Sequence, residues 1–177
     1  MQKTDSLTIT VIKNNEYGPQ DGRDRTEYRN SKGQLHRLDG PAVEYTNDDY
    51  EWWLNGKRHR VDGPAVYIFG YSEWYQDGLL HRDDGPSFEG SSEVKKWYQK
   101  GKLHRFDGPA YIFPDEFYQW FFNGKRHRVD GPAVEWANGE VEWYLYGFSY
   151  KSEEEWFNVL TEQDQVNYLF KKQTGYI

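Results

Sequence analysis

The sequence has no cysteine among its 177 residues, only one methionine, and no long apolar run. Without cysteine the chain can form neither disulfides nor thiolate metal sites, so it does not depend on an oxidising compartment. No window approaches the run of about 18 apolar residues that a membrane helix requires. Residues 1–15 read MQKTDSLTITVIKNN and lack the apolar core of a signal peptide. We therefore expect a soluble cytoplasmic protein, in its own cell or in a host.

Aliphatic side chains and positive charge are also in short supply. Hydrophobic residues make up only 36% of the chain, yet aromatic residues make up 19%, and rings suit half-buried β-sheets. The 22 Lys and Arg are outnumbered by 29 Asp and Glu, which gives a net charge of −7. Nucleic-acid binding needs a basic face, so this balance argues against a nucleic-acid partner and permits a basic one.

A repeat of 22 or 23 residues dominates the chain. The pattern G-x-x-H-R-x-D-G-P starts at Gly33, Gly56, Gly78, Gly101 and Gly124. It contains every histidine of the protein and one aspartate per repeat: His36, His59, His81, His104 and His127, with Asp39, Asp62, Asp84, Asp107 and Asp130. A tryptophan stands four residues before each following glycine: Trp52, Trp74, Trp97, Trp120 and Trp143. Residues 55–66 and 123–134 are identical, NGKRHRVDGPAV.

Degenerate copies flank the array, as end repeats commonly do. Gly18-Pro19 marks an incomplete copy before it, and Gly147 starts a sixth copy that soon loses the pattern. We expect an N-terminal strand and degenerate capping repeat over residues 1–32, five repeats over residues 33–147, and a helical cap over residues 148–177.

Each repeat has the turn signals of β-structure. Asn55-Gly56, Asp77-Gly78 and Asn123-Gly124 are strong two-residue hairpin turns, and Lys100-Gly101 is a weaker one. A tight Asp-Gly-Pro corner, a short strand, a polar turn and an aromatic strand such as Glu51–Leu54 follow each hairpin. The pattern predicts an all-β repeat fold, in which an antiparallel β-hairpin meander forms an elongated twisted sheet.

The period changes near the C-terminus. Ser152 with Glu155 forms a capping box, and Trp156, Phe157, Val159 and Leu160 follow at helical spacing. A second start signal at Thr161 precedes an apolar stripe of Val166, Leu169 and Phe170. One or two short helices should therefore cap the open end of the sheet.

The segment Trp53 to His59, with an aromatic residue, a glycine and a histidine at three-residue intervals, resembles the core of the MORN repeat (membrane occupation and recognition nexus). Arginine follows the histidine where that family has glycine, and Asp-Gly-Pro replaces the second family glycine. The chain is thus similar to a divergent, MORN-like branch with His-Arg-x-Asp-Gly-Pro-Ala repeats, found in viral and bacterial proteins. The resemblance implies a β-hairpin scaffold for protein interactions, without catalysis or a cofactor.

The repeated His-Arg-x-Asp cluster could in principle perform acid–base chemistry. A catalytic constellation is needed once, however, and this one occurs five times in the same register. Each histidine can pack between repeats, and each arginine can pair with the aspartate or lie over an indole. The histidines need not converge on one ion, so we expect no metal site and no catalytic residue.

The aromatic strands present two ladders, because successive residues face opposite sides. The tryptophan ladder looks like core. The second ladder, a candidate ligand surface, comprises Trp53, Tyr75, Tyr98, Phe121 and Tyr144. The MORN alignment places the conserved aromatic of the family on this second ladder, so a structural role stays open. Tyr67, Phe69 and Ile112 break the repeat and form another candidate surface, either an interface or a contact for the C-terminal helices.

The sequence therefore predicts a non-catalytic protein-binding repeat module. A viral (phage) or bacterial accessory protein that modulates or inhibits another protein fits this description, and a homo-oligomer stays open. The alternative is a protein that sequesters a small anionic ligand such as a nucleotide, with arginines and rings as its contacts.

Overall fold

The computed structural model describes residues 7–13 and 23–175. The chain divides into two compact units, Met1–Ser91 and Ser92–Ile177. The incomplete repeat expected at Gly18-Pro19 lies outside the described residues.

The first unit holds an antiparallel sheet in which strands follow the order of the chain. These strands are β1 (Thr8–Ile12), β2 (Arg25–Arg29), β3 (Val43–Tyr45), β4 (Tyr50–Glu51), β7 (Val66–Ile68), β8 (Tyr71–Glu73) and β11 (Phe88–Glu89). Two small hairpins stand outside this sheet: β5 (Trp53–Leu54) with β6 (Lys57–Arg58), and β9 (Tyr75–Gln76) with β10 (Leu79–Leu80).

The second unit repeats this arrangement. Its sheet strands are β12 (Lys95–Lys96), β15 (Tyr111–Phe113), β16 (Phe117–Gln119), β19 (Val134–Trp136), β20 (Val141–Leu145) and β21 (Phe148–Tyr150). Its hairpins are β13 (Tyr98–Gln99) with β14 (Lys102–Leu103), and β17 (Phe121–Phe122) with β18 (Lys125–Arg126). The predicted all-β repeat fold, an antiparallel hairpin meander, is confirmed.

The predicted hairpin turns have the required backbone. Asn55 and Gly56 have φ of 50° and 76°, so both central residues are left-handed, as a tight hairpin of this kind requires. The same pair of positive φ angles occurs at Asp77-Gly78, Lys100-Gly101, Asn123-Gly124 and Tyr146-Gly147. Each repeat therefore has one short hairpin arm. The glycine of the turn is the same in all of them, whereas the residue before it varies.

The aromatic strand predicted at Glu51–Leu54 is interrupted at Trp52, which is a correction. The Trp52 N–H donates to the Ala65 carbonyl at 2.6 Å, and the Trp52 carbonyl accepts from the His59 N–H at 3.1 Å. Trp52 thus links a sheet strand to its arm. The same two bonds recur at Trp74, Trp97 and Trp120, whereas Trp143 lies inside the continuous strand β20.

The most buried repeat positions follow the prolines. Ala42, Ala65, Ser87, Ala110 and Ala133 are fully buried, and the valines Val43, Val66 and Val134 are nearly so. The ladder tryptophans, expected as core, are only half-buried. The alanines and the serine therefore fill the tightly packed segment between each corner and the following strand, and the indoles are more exposed.

Two helices end the second unit. α1 (Glu153–Phe157) is capped by Ser152, which accepts from the Glu155 N–H, and α2 (Glu162–Thr174) is capped by Thr161 in the same way. Both predicted start signals are confirmed. The helices form a core with Leu145 of β20, which includes Trp156, Leu160 and Tyr168.

The apolar stripe of α2 lies on its exposed side. Val166, Leu169 and Phe170 are exposed, while Tyr168 is buried against Trp156 with ring centres 5.0 Å apart. The Tyr168 hydroxyl donates to Glu153 at 2.7 Å, so the ring can bury its body and still satisfy its polar end. Among the described residues, no helix is long and apolar enough to cross a membrane.

Candidate functional site

The His-Arg-x-Asp-Gly-Pro segments form five similar corners. We call residues 36–41, 59–64, 81–86, 104–109 and 127–132 the first to fifth corners. In the second corner, Arg60 Nε donates to Asp62 Oδ1 at 2.9 Å and Arg60 Nη1 donates to the Pro64 carbonyl at 3.3 Å. The Arg60 Cζ lies 4.3 Å from the centre of the Trp52 ring. One guanidinium therefore holds an aspartate, a carbonyl and an indole at once.

All five corners share this arrangement. The Nε–Oδ1 bonds measure 2.7 to 3.1 Å in Arg37–Asp39, Arg60–Asp62, Arg82–Asp84, Arg105–Asp107 and Arg128–Asp130. The guanidinium carbons lie 3.9 to 4.3 Å from the rings of Tyr28, Trp52, Trp74, Trp97 and Trp120. Both partners that the sequence suggested for these arginines are present together.

The corner glycine leaves space for the guanidinium of the corner arginine. A Cβ placed on Gly63 would lie 2.9 Å from the Arg60 Cζ, which is too close for a real contact. The same approach of 2.7 to 3.1 Å occurs at Gly40, Gly85, Gly108 and Gly131. Each guanidinium thus lies between a bare glycine backbone and a ring, and this explains why glycine precedes every corner proline.

The histidines join each repeat to the next. His59 Nδ1 accepts from the Asp77 N–H at 3.1 Å, at the hairpin turn of the following arm. His36, His104 and His127 accept in the same way from Asn55, Asn123 and Tyr146, at 3.0 to 3.3 Å. A ring nitrogen that accepts must be unprotonated, so these bonds require the neutral imidazole. Burial lowers the pKa of His104 and of His127, which also favours the neutral form.

The residue between the arginine and the aspartate points to solvent in the first four corners. The Leu38, Val61 and Phe106 residues at this position are 73%, 80% and 85% exposed, and Asp83 takes the position in the third corner. Leu38 and Val61 line a shallow groove of about 330 Å³ between the first and second corners. We call this the corner groove, and its walls include Asp39, Asp62 and Trp52.

The corner aspartates give this surface its charge. The Asp62 side chain is 80% exposed, although its hydrogen bond with Arg60 lowers the pKa of the carboxyl. Arg82 and Arg105 lower the pKa of Asp84 and Asp107 in the same way. These carboxylates are therefore ionised at neutral pH. The corner groove combines apolar side chains with two exposed aspartates, Asp39 and Asp62, which pair with the groove arginines Arg37 and Arg60.

Rings of the second aromatic ladder contact charged side chains of the chain itself. The buried Glu51 accepts from Trp53 Nε1 at 3.1 Å and from Arg58 Nε at 3.1 Å, and Arg58 lies 5.3 Å from the rings of Trp53 and Tyr75. In the second unit, Glu142 accepts from the Tyr144 hydroxyl at 3.0 Å. All five rings, Trp53, Tyr75, Tyr98, Phe121 and Tyr144, are half-buried.

The residues that break the repeat lie in different units. Tyr67 and Phe69 are exposed in the first unit, and Tyr67 stacks on Tyr50 with ring centres 5.7 Å apart. Ile112 is half-buried in the second unit, where it pairs with Tyr118 of the next strand. Tyr67 and Ile112 replace the glutamate that pairs with the corner arginine in three other corners, as in Arg37–Glu44 at 2.8 Å.

The corners offer ion pairs, ring contacts and exposed apolar side chains. Within residues 7–13 and 23–175, no group of three or more His, Asp or Glu side chains could hold a metal ion. The residues that sequence reasoning missed are Leu38, Val61 and Phe106. Their signal is the one variable position of the His-Arg-x-Asp-Gly-Pro corner, which is apolar in four of the five corners.

Comparison of the chain with protein-family models, curated proteins and solved structures found no match. The resemblance to MORN repeats therefore stays a prediction.

Proposed function

We propose that this protein is a non-catalytic binding module whose repeated corners form a scaffold and whose exposed corner residues contact another protein. The observation that carries the proposal is the exposure of Leu38 and Val61 at the one corner position that the scaffold leaves unused. Apolar side chains exposed side by side and bordered by charge are typical of interaction surfaces.

The contacts of the arginines favour a protein partner over an anionic small ligand. Arg60 already contacts an aspartate, a carbonyl and an indole, and the other corner arginines have equivalent partners. A phosphate would have to displace an intramolecular carboxylate to reach them.

The repetition of the histidines supports a structural role for them. Each described contact places a histidine Nδ1 against a backbone N–H of the next arm, where it cannot act as a base without breaking that bond. A viral or bacterial accessory role, in which binding modulates or inhibits the partner, fits such a module.

The experiment is affinity capture from the native host with the immobilised full chain, followed by mass spectrometry and by reconstitution with the purified partner. A protein that rebinds in a defined ratio supports the proposal. Small molecules released from the denatured chain are analysed in parallel. If no protein rebinds, while a nucleotide is released and raises the melting temperature on addition, the proposal is wrong and the anionic-ligand alternative holds.

A further inference from the structure

The fifth corner is covered by a helix of the chain itself. Val129, its middle residue, packs beside the core that contains Trp156 and Tyr168, and it is half-buried. Lys171 of α2 pairs with Asp130, whose side chain is only 30% exposed. The Trp156 Nε1 donates to the Arg128 carbonyl at 3.2 Å. A corner can therefore be covered by helices that bring apolar contacts to its middle residue and a lysine to its aspartate.

The second corner has the same sequence, but no helix among the described residues covers it. Residues 55–66 and 123–134 are identical, so Val61 and Asp62 correspond to Val129 and Asp130. Val61 is 80% exposed, and so is the Asp62 side chain. The first corner repeats the chemistry with Leu38 and Asp39. Two neighbouring corners of the first unit thus present, uncovered, the surface that α1 and α2 cover in the second unit.

We propose that the corner groove binds an amphipathic helix of the partner protein, with a lysine-rich flank, in the manner in which α2 covers the fifth corner. This inference rests on the proposed function and specifies the partner class. The corner aspartates are complementary to lysine, as Lys171 and Asp130 demonstrate within the chain. The net charge of −7 further favours approach of a basic partner.

The strand spacing sets the repeat that such a helix needs. The strand order β3, β4, β7 places the first and second corners two strand intervals apart, or about 9 to 10 Å. A helix rises about 1.5 Å per residue, so about six to seven residues span this distance, and a spacing of about seven also keeps two side chains on one face. A helix lying across both corners should carry apolar side chains about seven residues apart, with lysines at a matching interval.

The probe is a labelled designed peptide of about 20 residues, helical, with leucines about seven residues apart and lysines beside them. One control peptide replaces the lysines with glutamate. A second control peptide keeps the composition but spaces the leucines about five residues apart, which places them on different faces of the helix. Fluorescence anisotropy measures their binding to the full chain. We expect the lysine peptide to bind saturably, and each control peptide to bind about tenfold more weakly or worse.

The test variants are Leu38→Asp and Val61→Asp, since aspartate occupies the same position naturally at Asp83. Each should weaken binding of the lysine peptide by about tenfold. Val159→Asp is the matched control, because Val159 is an exposed valine outside the groove, and it should leave binding unchanged. Melting curves establish that all variants are folded.

The inference is overturned if the lysine peptide does not bind saturably, or if the glutamate peptide binds equally well. It is also overturned if Leu38→Asp and Val61→Asp bind the lysine peptide as tightly as the unaltered chain. Self-association of the chain that Val61→Asp abolishes would also overturn it, since the groove would then hold a second copy. The inference alone fails if a captured protein binds the chain and loses affinity for Val61→Asp, while the lysine peptide does not bind. The proposed function itself fails only if no protein partner rebinds.

Discussion

Arg60 lies over Trp52, with its guanidinium carbon 4.3 Å from the ring centre, while the backbone of Gly63 closes the other side. The planar guanidinium can stack and donate in its own plane at the same time, which a lysine cannot do. This relationship explains why His-Arg-x-Asp-Gly-Pro recurs. The aspartate, glycine and proline of each corner hold the arginine side chain between a sheet strand and an arm.

The first prediction concerns the glycine under the guanidinium. Gly63→Ala places a methyl group 2.9 Å from Arg60 Cζ, so either the arginine or the backbone must shift. We expect a loss of about 1 to 3 kcal/mol in the free energy of unfolding, measured by urea denaturation. In an Arg60→Ala background the clash is removed, and Gly63→Ala should cost much less. Additive costs would contradict the stacked geometry.

Much of the scaffold could be predicted from the sequence because each turn has its own local signal. Asn55-Gly56 and Ser152 are such signals, and the structure places a hairpin and a helix start there. The break at Trp52 could not be predicted, because it depends on a bond to Ala65, which precedes strand β7. The burial of Tyr168 could not be predicted for a similar reason, since its hydroxyl depends on an acceptor, Glu153, in the other helix.

The second prediction concerns pH. His104 Nδ1 accepts from the Asn123 N–H, and burial lowers the pKa of His104 below its ordinary 6.5. Between that lowered pKa and 6.5 the unfolded chain binds more protons, so the free energy of unfolding falls as the pH falls below about 6.5. His127 contributes in the same direction, since its pKa is also lowered by burial, although Asp164 opposes the shift.

Melting temperatures between about pH 7 and pH 5 measure this effect. The carboxylates of Asp62, Asp84 and Asp107 do not interfere there, because their pKa values lie below the ordinary 3.8. His104→Gln keeps an acceptor but cannot titrate, so its melting temperature should depend less steeply on pH. The same slope in the variant and in the unaltered chain would show that His104 is not responsible.

The third prediction concerns the helical cap. Trp156 is fully buried and packs against Trp143, with ring centres 4.7 Å apart. Trp156→Ala should cost about 3 to 5 kcal/mol, because it opens a large cavity. Urea denaturation followed by helical circular dichroism measures the loss. Val159→Ala, at an exposed position between the helices, serves as the control and should change stability by less than about 0.5 kcal/mol. Equal effects of the two variants would contradict the described core.

The candidate surface was harder to predict than the scaffold. The repeat pattern favours the aromatic rings as the binding surface, yet Trp53 and Tyr75 of the second ladder are half-buried around Arg58. Leu38 and Val61 were overlooked because a variable position in a repeat carries little signal by itself. Their meaning emerges only from exposure, and from the covered copy at Val129.

The central claim is that two adjacent residues have different roles: Arg60 stabilises the fold, and Val61 contacts a partner. Urea unfolding of Arg60→Gln and Val61→Asp tests it most directly. We predict that Arg60→Gln lowers the free energy of unfolding by about 1 to 3 kcal/mol, through loss of the indole and carboxylate contacts. Val61→Asp should change it by less than about 0.5 kcal/mol. An undiminished stability of Arg60→Gln, or an equal loss in Val61→Asp, would contradict the account.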